Sequence, residues 1–161
     1  MWTASTSILS HLTSRTCAEA LSAGHDHGIL PSVPAQPITV FTYARCSTCR
    51  HAVQWLRERG VAFLEQPIVE TPPTVAQLRR MLGFQQGNLR RLFNTSGIEY
   101  RALGLAARLP ALTEDEALPL LAGNGRLVKR PFVLGSDFGL VGFAEAKWSA
   151  VPWPTGRSDV R

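Results

Sequence analysis

Cys46 and Cys49 stand three positions apart in the stretch Ala44-Arg45-Cys46-Ser47-Thr48-Cys49-Arg50-His51. Such a pair has three ordinary uses: part of a structural zinc site, two buried structural thiols, or a redox couple. A structural zinc site takes four ligands, usually from two such pairs. This chain has a single pair, with His51 as the nearby candidate for a third ligand. Position favours the redox use. Cys46 falls where a helix begins, and the unpaired amides and dipole of a helix N-terminus stabilise an anion. A thiolate there is expected to have a pKa below the free value of about 8.5, and the thiolate is the form that attacks disulfides. Arg45 and Arg50 add positive charge nearby. Cys49 falls one turn later on the inner helix face, where a resolving thiol would stand. Cys46 is therefore read as the attacking sulfur and Cys49 as the resolving one.

The elements that must position this pair are legible around it. Residues 38–43 (ITVFTY) are β-branched and aromatic, and apolar on both faces, which predicts a buried central strand. Cys49, Ala52, Val53 and Leu56 share one helical face, Arg50, Gln54, Arg57 and Glu58 lie opposite, and Gly60 ends the helix. VAFLEQPIV supplies a second strand, so the unit is βαβ with the cysteines at its first strand-to-helix turn. Thr74 is expected to cap a helix to about Leu82, stopped by Gly83. A short helix follows near residues 87–93, and Asn94-Thr95-Ser96-Gly97 is a turn. Thr113 and Glu116 form a capping box opening a helix to about Leu121, and Asn124-Gly125 breaks the chain. RPFVLG and GLVGF, joined by Ser136-Asp137-Phe138-Gly139, predict a hairpin, and AEAKWSAV a last helix. The sum is a mixed-sheet α/β domain.

A proline that begins a strand is tolerated because no ladder bond is asked of it, which places Pro131 at the hairpin entry. In a thioredoxin-like architecture a cis proline here faces the catalytic loop; the sequence leaves the isomer open. Arg130, just before it, would then point at the Cys46 pocket and hold an anion with its planar fork.

The 161 residues suit one domain, and 45% apolar against 18% charged residues can bury a core. The net charge of +5 fits an anionic substrate or partner or a solvated basic surface, but no Lys/Arg stripe interleaved with aromatics suggests direct nucleic-acid binding. Lys129 and Lys147 are the only lysines; arginine carries the rest. No apolar run approaches the roughly 20 residues of a membrane span. The odd cysteine count and the lack of a signal-like N-terminus point to a cytoplasmic setting. Residues 1–36 are rich in Ser, Thr, Ala, Gly and His and read as a poorly ordered extension, with a weak amphipathic helix and a proline-marked linker. Cys17, His25 and His27 within it fit no closed metal site. Residues 37–152 form the expected domain. Trp153 and the rest of a 153–161 tail read as an exposed end.

Four segments in order, YARCSTCR (43–50), LFNTSGIEYRALGL (92–105), LVKRPFVLG (127–135) and VGFAEAKW (141–148), resemble the arsenate reductase-like (ArsC) family that includes the Spx and MgsR regulators. The resemblance spans roughly residues 37–150. It implies a thioredoxin-like fold with a helical insertion between the second and third strands. Cys46 matches the family's nucleophile, Thr48 and Arg50 the binding residues after it, and Arg130 with Pro131 an oxyanion contact. Cys49 matches the second cysteine of the Spx-like branch, where glutaredoxin-coupled arsenate reductases carry serine. Asn94 replaces an arginine of the arsenate pocket, and Thr42-Tyr43-Ala44 a His-Asn-Pro lead-in; Arg90 and Arg91 are candidates to compensate. The implied function is a thiol-disulfide redox protein, recycled by thioredoxin, glutaredoxin or glutathione, with no metal and no cofactor. The alternatives are a redox-sensing regulator that binds RNA polymerase and an arsenate reductase.

Overall fold

Ile38–Thr42 forms β1, a run of β-branched and aromatic residues that is central in a four-stranded sheet of order β2-β1-β3-β4. The computed structural model describes residues 37–154, so the expected helix, linker and histidines of residues 1–36 and the tail from Thr155 lie outside the described residues. β2 (Phe63–Pro67) runs parallel to β1, Ile38 facing Phe63 and Thr42 facing Pro67. It is an edge strand with much of its surface exposed, which tolerates Pro67. β3 (Phe132–Leu134) and β4 (Gly139–Val141) form the predicted hairpin, and β3 pairs antiparallel with β1 through Val40 and Val133.

Alternation along these strands divides the core in two. Ile38, Val40 and Val133 point to one face, where they meet α1 (Ser47–Glu58) and α6 (Glu145–Ser149) through Ala52, Trp55, Leu56 and Trp148. Phe41, Phe132 and Leu134 point to the other, covered by the segment between β2 and β3. That segment is the expected helical insertion: α2 (Val75–Phe84), a 3₁₀ turn at Leu89–Leu92, the short α3 (Ile98–Ala102) and α4 (Leu105–Arg108), and α5 (Glu114–Gly123). The predicted capping box of Thr113 with Glu116 is present, and the expected cap Thr74 forms a second box with Gln77.

Three expectations are corrected. Gly83 does not stop α2, which runs on to Phe84 and ends where Gln86 (φ 58°) and Gly87 (φ 72°) turn left-handed. Trp55 joins the inner face of α1, which is broader than the four residues read from the sequence. Trp153 is not part of an exposed end: its indole donates to the Trp148 carbonyl at 2.6 Å, and its ring meets Phe138 at 5.1 Å and Trp148 at 5.4 Å. An aromatic cluster this large offers more burial than the loose end offered freedom. Among the described residues no helix is long and apolar enough to cross a membrane.

One close approach fixes the insertion to the sheet. A Cβ on Gly125 would lie 1.7 Å from the Ile68 carbonyl oxygen, so only glycine lets these two backbones meet. The 3₁₀ turn at Gly125–Leu127 then delivers the chain to Val128, Lys129 and Arg130, in front of β3.

Candidate functional site

The carboxyl end of β1 and the first turn of α1 enclose the cysteine loop. The Cys46 amide donates to the Tyr43 carbonyl at 2.9 Å, closing a tight turn at the end of the strand. Cys46 itself is the N-cap of α1, with extended backbone (φ −97°, ψ 113°). Its sulfur takes the role a serine or aspartate oxygen usually plays, accepting a hydrogen bond from the Cys49 amide at 3.4 Å. Cys46 is half-buried, whereas Cys49, one turn on, is 1% exposed. Both are free thiols.

The two sulfurs have opposite electrostatics. Partial burial pushes Cys46 up, but hydrogen bonds from the Cys49 side chain and amide, the Arg130 charge and the Thr48 hydroxyl together outweigh it. The Cys46 thiol is therefore held below its ordinary value. Burial drives Cys49 the other way; a backbone hydrogen bond at Tyr43 opposes it, and the Cys46 hydrogen bond and negative charge add to it. The result is a thiol pushed up to about 12. One environment thus favours the thiolate at Cys46 and keeps Cys49, three residues on, a thiol.

The structure brings most of the expected site residues to this loop. The Arg130–Pro131 peptide is cis, and the Arg130 guanidinium lies over the Tyr43 ring at 4.8 Å, next to the cysteine loop. Thr48 is exposed on the first turn of α1. Arg50 has a different duty from the one expected: its guanidinium donates to the Ala44 carbonyl at 3.1 Å and braces the loop. The cation that lowers Cys46 is Arg130, not Arg45 or Arg50. Asn94 shares a cavity of about 470 Å³ with Tyr43, Arg130 and Arg126. Its side-chain Nδ2 donates to the Arg126 carbonyl at 3.4 Å, and its backbone carbonyl accepts from the Gly97 amide at 2.9 Å, so it shapes the cavity wall and brings no charge. Arg90 and Arg91 do not compensate for it. They line a separate cavity of about 330 Å³.

Tyr43 was missed as a site residue. It carries Arg130, directly follows β1 and accepts the Cys46 amide through its carbonyl, and its signal was an aromatic immediately before the cysteine loop. Arg126, which pairs with Glu99 at 3.9 Å, lay beyond sequence reasoning because the cavity is assembled from three distant segments. Among the described residues no three His, Cys, Asp or Glu side chains converge as metal ligands would, and His51 is exposed on α1.

Comparison with known proteins follows the same outline. The ArsC family profile matches residues 41–151. The chain is 41% identical over 108 residues to protein YusI of Bacillus subtilis, covering 67% of this chain and 92% of YusI. It is 29% identical over 108 residues to the global transcriptional regulator Spx of Streptococcus agalactiae, covering 67% of this chain and 77% of that one. Among solved structures, a protein described as ArsC-family-related from Bacteroides fragilis superposes with a TM-score of 0.66 at 40% identity, over 70% of this chain and 97% of that chain.

Proposed function

Because the chain belongs to the ArsC family, we propose that it is a thiol-disulfide oxidoreductase of arsenate reductase-like type, working through Cys46 and Cys49. One observation carries the reading: Cys46 Sγ caps α1 and accepts the Cys49 amide at 3.4 Å, with the Cys49 thiol buried one turn behind it.

The chemistry follows from the two environments. The Cys46 thiolate attacks one sulfur of a substrate disulfide. A Cys46–substrate S–S bond forms as the substrate's own S–S bond breaks, and the electron pair leaves on the departing thiolate. Adduct formation removes the Cys46 charge that helps keep the proton on Cys49. Cys49 then yields that proton to the departing thiolate or to water and attacks Cys46 Sγ. The 46–49 disulfide forms and the second substrate thiolate leaves. The substrate has gained two electrons and the pair has lost them; thioredoxin, glutaredoxin or glutathione returns them. Arg130, fixed over Tyr43, stabilises the Cys46 anion and any anionic group beside it. Reduction of arsenate is a weaker reading, since Asn94 offers an already engaged amide where a cation would be needed.

The test is turnover of a low-molecular-weight mixed disulfide by the reduced chain with a thiol recycling system. Cys46→Ser should abolish it, and Cys49→Ser should stall as a covalent Cys46 adduct visible by mass. Turnover that survives Cys46→Ser overturns the proposal. The similarity to Spx favours a second reading in which the same disulfide is a switch on a transcription partner. Absence of turnover, with redox-dependent co-purification of RNA polymerase, would select it.

A further inference from the structure

Arg90, Arg91, Lys129 and Lys147 line one cavity of about 330 Å³ together with Asn88, Gln85 and Thr95. Both lysines of the entire chain are in this set. No carboxylate lines the cavity, and among the described residues none of the four cations is ion-paired. The acid nearest in sequence, Glu145 on the helix that bears Lys147, is engaged by Arg59 at 3.7 Å and the Trp55 indole at 3.3 Å. Four like charges gathered without a counter-charge repel one another, and a bound polyanion would offset that cost.

The fold keeps this cavity apart from the cysteine site while joining the two by backbone. Phe93 and Val128 pair as an antiparallel bridge, flanked by hydrogen bonds of 2.7 Å from Asn94 to Leu127 and from Lys129 to Leu92. Successive residues of an extended chain point to opposite faces. Asn94 and Arg130 therefore line the cavity beside Tyr43, while their neighbours Thr95 and Lys129 line this one. On its far side the cationic cavity adjoins a second one, of about 240 Å³, which shares Lys129, Lys147 and Val141. That neighbour is lined by Leu140, Phe143, Ala144 and Trp148 and brings no further charge. A charged pocket opening on an aromatic one matches a ligand with a polyanionic end and a flat, less polar end.

We propose that this double cavity binds a nucleoside diphosphate, with the diphosphate held by Arg90, Arg91, Lys129 and Lys147 and the nucleoside against Phe143. Arginine forks meet phosphate oxygens bidentately, and lysine ammonium groups act as point charges on them. The small volumes, about 330 and 240 Å³, and the aromatic neighbour favour a small molecule over an extended nucleic acid, whose backbone would ask for a long groove.

Isothermal titration of the reduced full chain with ADP, inorganic pyrophosphate and a mixed-sequence DNA duplex tests this. ADP should bind one to one and at least tenfold more tightly than pyrophosphate. Lys129→Gln and Lys147→Gln should each weaken ADP about tenfold, the scale of one charged hydrogen bond, without lowering the thermal midpoint of the free chain. No saturable heat with ADP would overturn the proposal, as would undiminished binding in the doubly substituted chain. Pyrophosphate binding as tightly as ADP would overturn the nucleoside assignment, and a duplex binding more tightly than ADP would replace the ligand with nucleic acid.

Discussion

At about pH 10 the reduced folded chain, in a Cys17→Ser background, should carry one thiolate rather than two. An ordinary thiol titrating near 8.5 would be about 97% ionised at that pH. Cys49, pushed up to about 12, would be only about 1% ionised. Ultraviolet thiolate absorbance should therefore read close to one equivalent in the folded protein and two in denaturant. The same shift has a stability signature. Folded Cys49 holds its proton more tightly than unfolded Cys49, so its contribution is complete below about pH 8.5 and is lost as pH rises towards 12. One proton corresponds to at most about 1.4 kcal/mol per pH unit in that window. Cys46, whose folded pKa is depressed, acts in the opposite sense: its contribution is lost as pH falls through the folded value. Urea unfolding at pH 8, 9 and 10 should show the Cys49-bearing chain losing stability faster than Cys49→Ala. Two thiolates in the folded chain by pH 10, or parallel stability curves for the two proteins, would refute the burial argument.

Arg130→Gln removes the positive charge that helps hold Cys46 ionised, so the titration of Cys46 alkylation should move to higher pH, with Arg130→Lys restoring part of the shift. Two glycines should respond in opposite directions to alanine in denaturant titrations. Gly125→Ala drives a Cβ onto the Ile68 carbonyl and should cost about 4 kcal/mol or more, the scale of severe backbone disruption. Gly83→Ala, inside α2 with no atom within 4 Å of the new Cβ, should stabilise by about 1 kcal/mol from helix propensity.

Strand β1, helix α1 and the cap position of Cys46 were legible because each is a local pattern: an apolar run, a helical face and a cysteine where the two meet. The hairpin, the Thr74 cap and the Thr113–Glu116 capping box were legible for the same reason. α3 and α4 left no periodic trace, being 5 and 4 residues long, and short helices like these are held by packing of Tyr100 and Leu105 rather than by propensity. The stop of α2 was misplaced because Gly83 has helical backbone, while the left-handed turn falls on Gln86 and Gly87. Arg45 and Arg50 were expected to add charge beside Cys46, with Arg130 aimed at the same pocket; of the three the structure leaves Arg130 acting on the sulfur, a choice set by tertiary placement that no local pattern encodes. The gathering of Arg90, Arg91, Lys129 and Lys147 was invisible for the same reason: the tertiary fold alone makes them neighbours.

The account rests on Cys46, at the start of α1, giving up its proton more readily than an ordinary thiol. The most direct measurement is the pH dependence of its alkylation rate by iodoacetamide in the folded, reduced chain, resolved by peptide mass. The rate should reach half its plateau below the ordinary thiol value of about 8.5, in the direction set by the Cys49 amide and Arg130. A midpoint at or above that value would contradict the account.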